Sequence, residues 1–149
     1  MTHPDLGRLD PASYRALLAL SESADAATER AGIEPRTAEL VKIRTSQLNG
    51  CAFCLRMHTR DAIEQGETAD RLAVVPAWRE SQYFTPQEEA ALALAESVTL
   101  VARGTMPEEE YKQVAAVLSE SQIAAVSWLA TVMNAWNRVA LASHYPVHP

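Results

Sequence analysis

An all-α fold is what the sequence predicts, and three observations carry that prediction. The 149 residues include only 5 glycines and are rich in alanine and leucine, a composition that favours helices. Hydroxyl residues followed three positions later by Glu or Gln recur in the second half, a pattern that marks helix N-termini. No stretch alternates apolar and polar residues convincingly enough to make a strand. Hydrophobic content of 48% against 21% charged residues describes a globular chain, and residues 1–149 suffice for a single domain with its own core.

The elements follow in order. Asp10-Pro11 reads as an N-cap with proline at the first helical position, opening a helix through about Ala27 whose apolar face is Tyr14, Leu17, Leu18 and Leu20. A helix from Pro35 to Gln47 carries Leu40, Val41 and Ile43, with Leu48 just beyond it. Asn49-Gly50 then supplies the residues that most readily adopt the left-handed stop conformation. The next helix starts at Cys51 and runs to Gln65, where Gly66 ends it. Thr68–Leu72 and Pro76–Glu80 read as short turns of helix. Capping boxes at Thr85/Glu88, Thr105/Glu108 and Ser119/Gln122 open helices over about 86–103, 107–118 and 121–143. The last is the most apolar and suits a core or a subunit contact.

Charge and hydropathy exclude some functions. A net charge of −6 without a basic stripe argues against nucleic acid as a partner. Met1-Thr2-His3-Pro4-Asp5 lacks the basic and apolar regions of a signal peptide. Ile123–Trp136, the longest apolar stretch, is interrupted by Ser127, Thr131 and Asn134 and is too short to span a membrane. A cytoplasmic protein with no membrane partner is therefore expected. In a reducing compartment, paired cysteines point to redox chemistry or metal binding more than to a structural disulfide.

The 2 cysteines form one motif, Cys51-Ala-Phe-Cys54, with His58 four residues after the second. At about 100° per residue, Cys51, Cys54 and His58 share one helix face, and Cys54 and His58 stand at the i, i+4 spacing where side chains meet. A helix start stabilises a thiolate, and a neighbouring imidazole can take the proton from Cys54. Glu39 lies ~15 Å back from Asn49 and His58 ~10 Å into the following helix, from the rise per residue. An antiparallel hairpin at Asn49-Gly50 would let Glu39 approach His58 and complete a carboxylate–imidazole–thiol chain.

Glu39, eleven intervening residues, then Cys51-x-x-Cys54-x-x-x-His58 resembles the signature of the alkylhydroperoxidase D-like branch of the carboxymuconolactone decarboxylase family. Leu40–Cys51, Met57–Ala62 and Gly66-Glu67 continue the likeness. Trp78–Ser81, Phe84-Thr85, Ala90–Ala93 and Asn134–Arg138 match later landmarks, so that it covers roughly residues 10 to 145. The resemblance implies an all-helical fold, assembly into a homotrimer or homohexamer, and thiol peroxidase activity without metal or organic cofactor. It implies Cys54 as the peroxidatic cysteine, Cys51 as the resolving one, and Glu39 with His58 as the proton relay. A dithiol donor, a lipoylated or thioredoxin-like protein, would supply the electrons. Where the best-studied members carry a second histidine between the cysteines, this chain has Phe53, which weakens the relay and makes the pocket more apolar.

Other readings compete. The cysteines could be two buried small hydrophobes. Structural zinc wants four ligands, whereas Cys51, Cys54 and His58 are three. Attached haem needs histidine where Leu55 stands. Trp136-Asn137-Arg138 could line the pocket but fits packing or a subunit contact better, and Phe53 and Met57 would wall the dithiol or pack on a neighbouring helix. His3, His144 and His148 lie in tails or near a helix end, and Glu108–Glu110 is an acidic helix start. Two further functions stand beside the peroxidase: a lactone decarboxylase of the same fold, which does not depend on the cysteine pair, and a non-enzymatic redox sensor whose dithiol changes assembly.

Overall fold

The computed structural model describes residues 3–149, and among these the regular structure is helical, with no strand. Eight α-helices run α1 Leu6–Leu9, α2 Pro11–Arg30, α3 Pro35–Asn49, α4 Ala52–Glu64, α5 Ala69–Val74, α6 Pro86–Thr99, α7 Glu108–Val117 and α8 Glu120–Ala142. Tight 3₁₀ turns at Val75–Glu80 and Val101–Arg103 follow α5 and α6. Helix α3 is the hub: it packs against α4, α6 and α8, while α2 lies along α8. Leu40, Val41, Ile43, Leu92 and Val126 fill the resulting core, each at most 1% exposed. No single described helix is long and apolar enough to cross a membrane.

The α3–α4 hairpin is made by one glycine. Gly50 sits at φ +66°, the left-handed conformation that costs a residue with a Cβ but not glycine. Its N–H bonds the Gln47 carbonyl at 3.2 Å, and the Cys51 N–H bonds that of Ser46 at 3.0 Å. This crossed pair stops α3 and reverses the chain at once. The Asp10, Thr85 and Ser119 caps form as the sequence predicts, the last two as full capping boxes.

Several expectations are corrected. Helix α2 continues past Ala27 to Arg30, and α1 precedes it. The face chosen for α2 is not core: Tyr14, Leu18 and Leu20 are exposed, and the helix buries Ala24 and Thr28 instead. Thr105 caps nothing. Pro107, extended at ψ 145°, takes the cap position, so α7 begins at Glu108, three residues beyond Thr105. The predicted helix 86–103 gives way after Thr99 to the second 3₁₀ turn.

One half-buried carboxylate fixes the frame around α3. Glu96 of α6 accepts from Arg44 Nε at 2.8 Å and from Trp78 Nε1 at 2.9 Å, and it pairs with Arg79. Burial opposes its ionisation, yet the Arg79, Trp78 and Arg44 donors outweigh that and hold its carboxyl below the usual range. The carboxylate thereby ties α6 to α3 and to the Val75–Glu80 turn.

Candidate active site

Cys51 is the junction of the hairpin. It ends the α3 stop and is also the N-cap of α4, with extended backbone at φ −90° and ψ 95°. The expectation that Cys51 lies inside the first helical turn is thus off by one residue. Its own N–H is spent on Ser46, and its sulfur makes no cap hydrogen bond. Cys54 lies one turn further on, inside α4. Both thiols are reduced and buried, at 1% and 3% exposure. Met133 and Ala140 of α8 close over them, with Phe53, Trp136 and Tyr145 at the edge.

Glu39 and His58 meet as the hairpin predicts. His58 Nδ1 lies 2.9 Å from Glu39 Oε2, both groups buried. An ionised carboxylate only accepts, so Nδ1 carries a proton, and in the neutral ring that leaves Nε2 with its lone pair. Asp61 Oδ2 stands further off, 3.6 Å from Nδ1. The other Glu39 oxygen accepts from Lys42 Nζ at 3.2 Å, and Lys42 reaches on to Asp25 of α2 at 3.1 Å. Burial resists ionisation of Glu39, but the His58 hydrogen bond and the Lys42 charge prevail and hold its carboxyl below the ordinary value. Burial likewise opposes charge on Lys42, and Glu39 and Asp25 reverse that, raising its pKa.

The ligand atoms of Glu39, His58 and Asp61 lie within 4.8 Å of one another, a spacing a cation could use. The Lys42 ammonium already neutralises that carboxylate, so the donor set suits a proton relay better than a metal ion. Lys42 and Asp25 were not among the residues singled out from sequence. The i, i+3 spacing of Glu39 and Lys42 was a usable signal; nothing local marks Asp25.

A cleft of about 380 Å³ opens beside the thiol of Cys54 and the ring of His58. Leu18, Phe53, Met57, Met133 and Trp136 give it apolar walls, and Lys42 and Asp25 lie on its polar side. Phe53 and Met57 do wall the dithiol, as the motif suggests. Cys51 does not line this cleft; it borders a smaller one of about 240 Å³ beside His144, Tyr145 and Val147.

The acidity of Cys54 differs from the expectation of a stabilised thiolate. Burial pushes the thiol up to about 12, the adjacent Cys51 thiol adds to the rise, and the Asn137 side chain opposes it. At neutral pH the resting group is the thiol. A base is therefore needed at the moment of attack, and an imidazole one turn away with a free Nε2 fits that requirement.

Residues 11–97 match the model of the carboxymuconolactone decarboxylase family. This chain belongs to that family. The uncharacterized protein YdfG of Bacillus subtilis is 42% identical over 115 residues, covering 77% of this chain and 78% of YdfG. The uncharacterized YnjA of Escherichia coli is 31% identical over 72 residues, covering 48% of this chain and 40% of YnjA. The crystal structure of ATU0492 from Agrobacterium tumefaciens superposes with a TM-score of 0.89 at 29% identity, covering 99% of this chain and 100% of that one. ATU0492 is a protein of unknown function suggested to be an antioxidant defence protein AhpD. The fold is the AhpD-like helical fold, and the chain is an AhpD-like member of its family.

Proposed function

We propose that this AhpD-like protein is a thiol-dependent peroxidase acting on hydrogen peroxide or, better suited to the apolar cleft, an organic hydroperoxide. The observation that carries the reading is the 2.9 Å bond between buried Glu39 and His58, in register with Cys54 on the wall of one cleft. His58 Nε2 takes the Cys54 proton as the sulfur attacks the peroxide O–O bond. Cys54 becomes a sulfenic acid and the alcohol or water departs with a proton. The Cys51 thiol then displaces water from that sulfenic acid and closes the Cys51–Cys54 disulfide. A dithiol donor, a lipoylated or thioredoxin-like protein, returns two electrons and two protons. Glu39 holds the imidazole tautomer and stabilises the imidazolium that forms.

Assembly as a homotrimer or homohexamer belongs to the same proposal, with a cytoplasmic site of action. The exposed apolar side chains Tyr14, Leu18 and Leu20 on α2 and Trp128 on α8 support self-association. The family's lactone decarboxylation does not require the cysteine pair, so a Cys51→Ser/Cys54→Ser double variant should abolish peroxide turnover while a decarboxylase would survive it.

The deciding test is thiol titration and sulfenic acid trapping after stoichiometric peroxide. Cys51→Ser should yield a trappable sulfenic acid and Cys54→Ser none at the site. The opposite pattern reverses the roles of the cysteines, and no reaction in the wild-type protein rejects the peroxidase.

A further inference from the structure

The proton count of one buried amide chain leaves a single hydrogen without an acceptor, and it lies on the face of α8 that covers the dithiol. Asn137 is 0% exposed and stands on α8 between Met133 and Ala140, the two residues that pack on Cys51 and Cys54. The i, i+4, i+7 spacing of 133, 137 and 140 puts all three on one helix face.

The hydrogen bonds around Asn137 fix which way its amide points. Ser46 Oγ donates to the Lys42 carbonyl at 2.8 Å, so toward Asn137 it can only accept. Asn137 Nδ2 therefore donates to Ser46 Oγ, at 3.1 Å. Asn137 Oδ1 accepts from Asn49 Nδ2 at 2.9 Å. Asn49 spends its other amide hydrogen on Asn134 Oδ1, also at 2.9 Å. Asn134 spends both of its own, on Thr99 Oγ1 at 3.0 Å and on the Ala130 carbonyl at 2.9 Å. Along this chain only the second Nδ2 hydrogen of Asn137 is left over. A spare donor sealed from water is costly unless something accepts from it, and a sulfur becomes a good acceptor when it ionises.

We propose that Asn137 donates the hydrogen bond that stabilises the Cys54 thiolate as it forms. The acidity of Cys54 is consistent with this: against burial and Cys51, which push the thiol up, the Asn137 side chain leads the influences that pull it down. The assignment gives the buried asparagine a role in the chemistry as well as in packing. It also ties the charge on Cys54 to Asn49, the residue before the hairpin glycine, so that the turn, the amide chain and the sulfur form one connected unit. The inference rests on Cys54 as the attacking thiol, but its test does not depend on peroxide being the substrate.

The test compares alkylation rates of Cys54 by iodoacetamide in Cys51→Ser protein with those after adding Asn137→Leu, Asn137→Ala or Ser46→Ala. Losing a donor to the thiolate raises its pKa by about one unit. The thiolate population then falls about tenfold and nucleophilicity recovers part of that, leaving alkylation about three- to fourfold slower at fixed pH. The Asn137 variants should show this slowing and displace the rate profile toward higher pH. Ser46→Ala removes the other acceptor of the same amide and should leave both unchanged. Unchanged rates in a folded Asn137 variant overturn the proposal, as does equal slowing in Ser46→Ala, which would signal lost packing alone. If neither Asn137 variant folds, the otherwise wild-type chain decides by nuclear magnetic resonance. The Asn137 side-chain amide signals should titrate with the Cys54 midpoint, and signals that stay fixed overturn the assignment. A failed peroxidase assay with slowed alkylation rejects the proposed function and leaves this inference standing.

Discussion

Replacing Glu39 with glutamine changes one charge and almost no volume, and the hydrogen bonds of the site dictate the response. Glutamine offers one oxygen and one amide where Glu39 offers two oxygens, to His58 at 2.9 Å and to Lys42 at 3.2 Å. Turning the amide toward Lys42 would set donor against donor. The oxygen therefore goes to Lys42 and the amide to His58 Nδ1, which must then accept. The imidazole switches tautomer, Nε2 acquires the proton, and His58 can no longer take one from Cys54. A positioned base contributes roughly 10²–10⁴-fold, so sulfenic acid formation at pH 7 should fall by about that factor. The fold should lose only about 1–2 kcal/mol, because one charge-assisted bond is replaced by a neutral one. The assay is single-turnover sulfenic acid trapping in Cys51→Ser with and without Glu39→Gln, from neutral to alkaline pH. Since Cys54 ionises unaided as pH approaches about 12, the deficit should shrink as pH rises. A Glu39→Gln rate within about threefold of its parent at pH 7, with the fold intact, would refute the relay.

Three more perturbations test the frame and its charges. Gly50→Ala places a Cβ at φ +66° where nothing lies within 4 Å, so the cost is conformational alone, about 1–2 kcal/mol, and a thermal melt should fall by a few degrees. Lys42→Met strips Glu39 of its ammonium and should cost about 2–3 kcal/mol at pH 7 by urea unfolding. Because Glu39 has a depressed pKa, the stability it contributes is present above the ordinary value of 4.5 and is lost as pH falls through its folded value; the Lys42→Met deficit should therefore narrow in acid. An equal deficit at neutral and acid pH contradicts that coupling. For Cys54 the sign is the other way: the unfolded thiol ionises near 9.0 and the folded one near about 12, so stability falls as pH rises between them. Cys54→Ser should flatten that part of the alkaline stability curve.

What could be read from the sequence was the part that local chemistry decides. Gly50 announces its turn because few other residues adopt its φ, and a known rise per residue then carries Glu39 to His58. Thr85 and Ser119 cap as written. Thr105 has the same spacing to Glu108, but Pro107 keeps extended backbone between them and the box cannot close. Periodicity showed α2 to be amphipathic without showing how its neighbour covers it: α8 lies along it, yet Tyr14, which meets Trp136, and Leu18 face the open cleft between the two helices and stay exposed. Asp25 and Asn137 were not assigned to the site because their roles depend on helix packing: each reaches the hairpin from another helix, across a distance that no spacing rule spans.

The misjudged property, the acidity of Cys54, follows from the same packing. A helix start and a nearby imidazole favour a thiolate, and both are present in the chain. Burial at 3% exposure outweighs them at rest, so that the thiol predominates at pH 7. A permanently ionised sulfur would be open to any electrophile that enters the cleft. A protonated one reacts when a base removes its proton and a donor receives the charge. His58, held by Glu39, and Asn137, its amide oxygen held by Asn49, sit on different helices and are aligned by separate sets of hydrogen bonds. On the proposed cycle, losing either should slow attack on peroxide. Raising the pH should restore the rate in both cases, but losing the donor displaces the Cys54 rate profile toward higher pH while losing the base does not, and that contrast separates the two contributions.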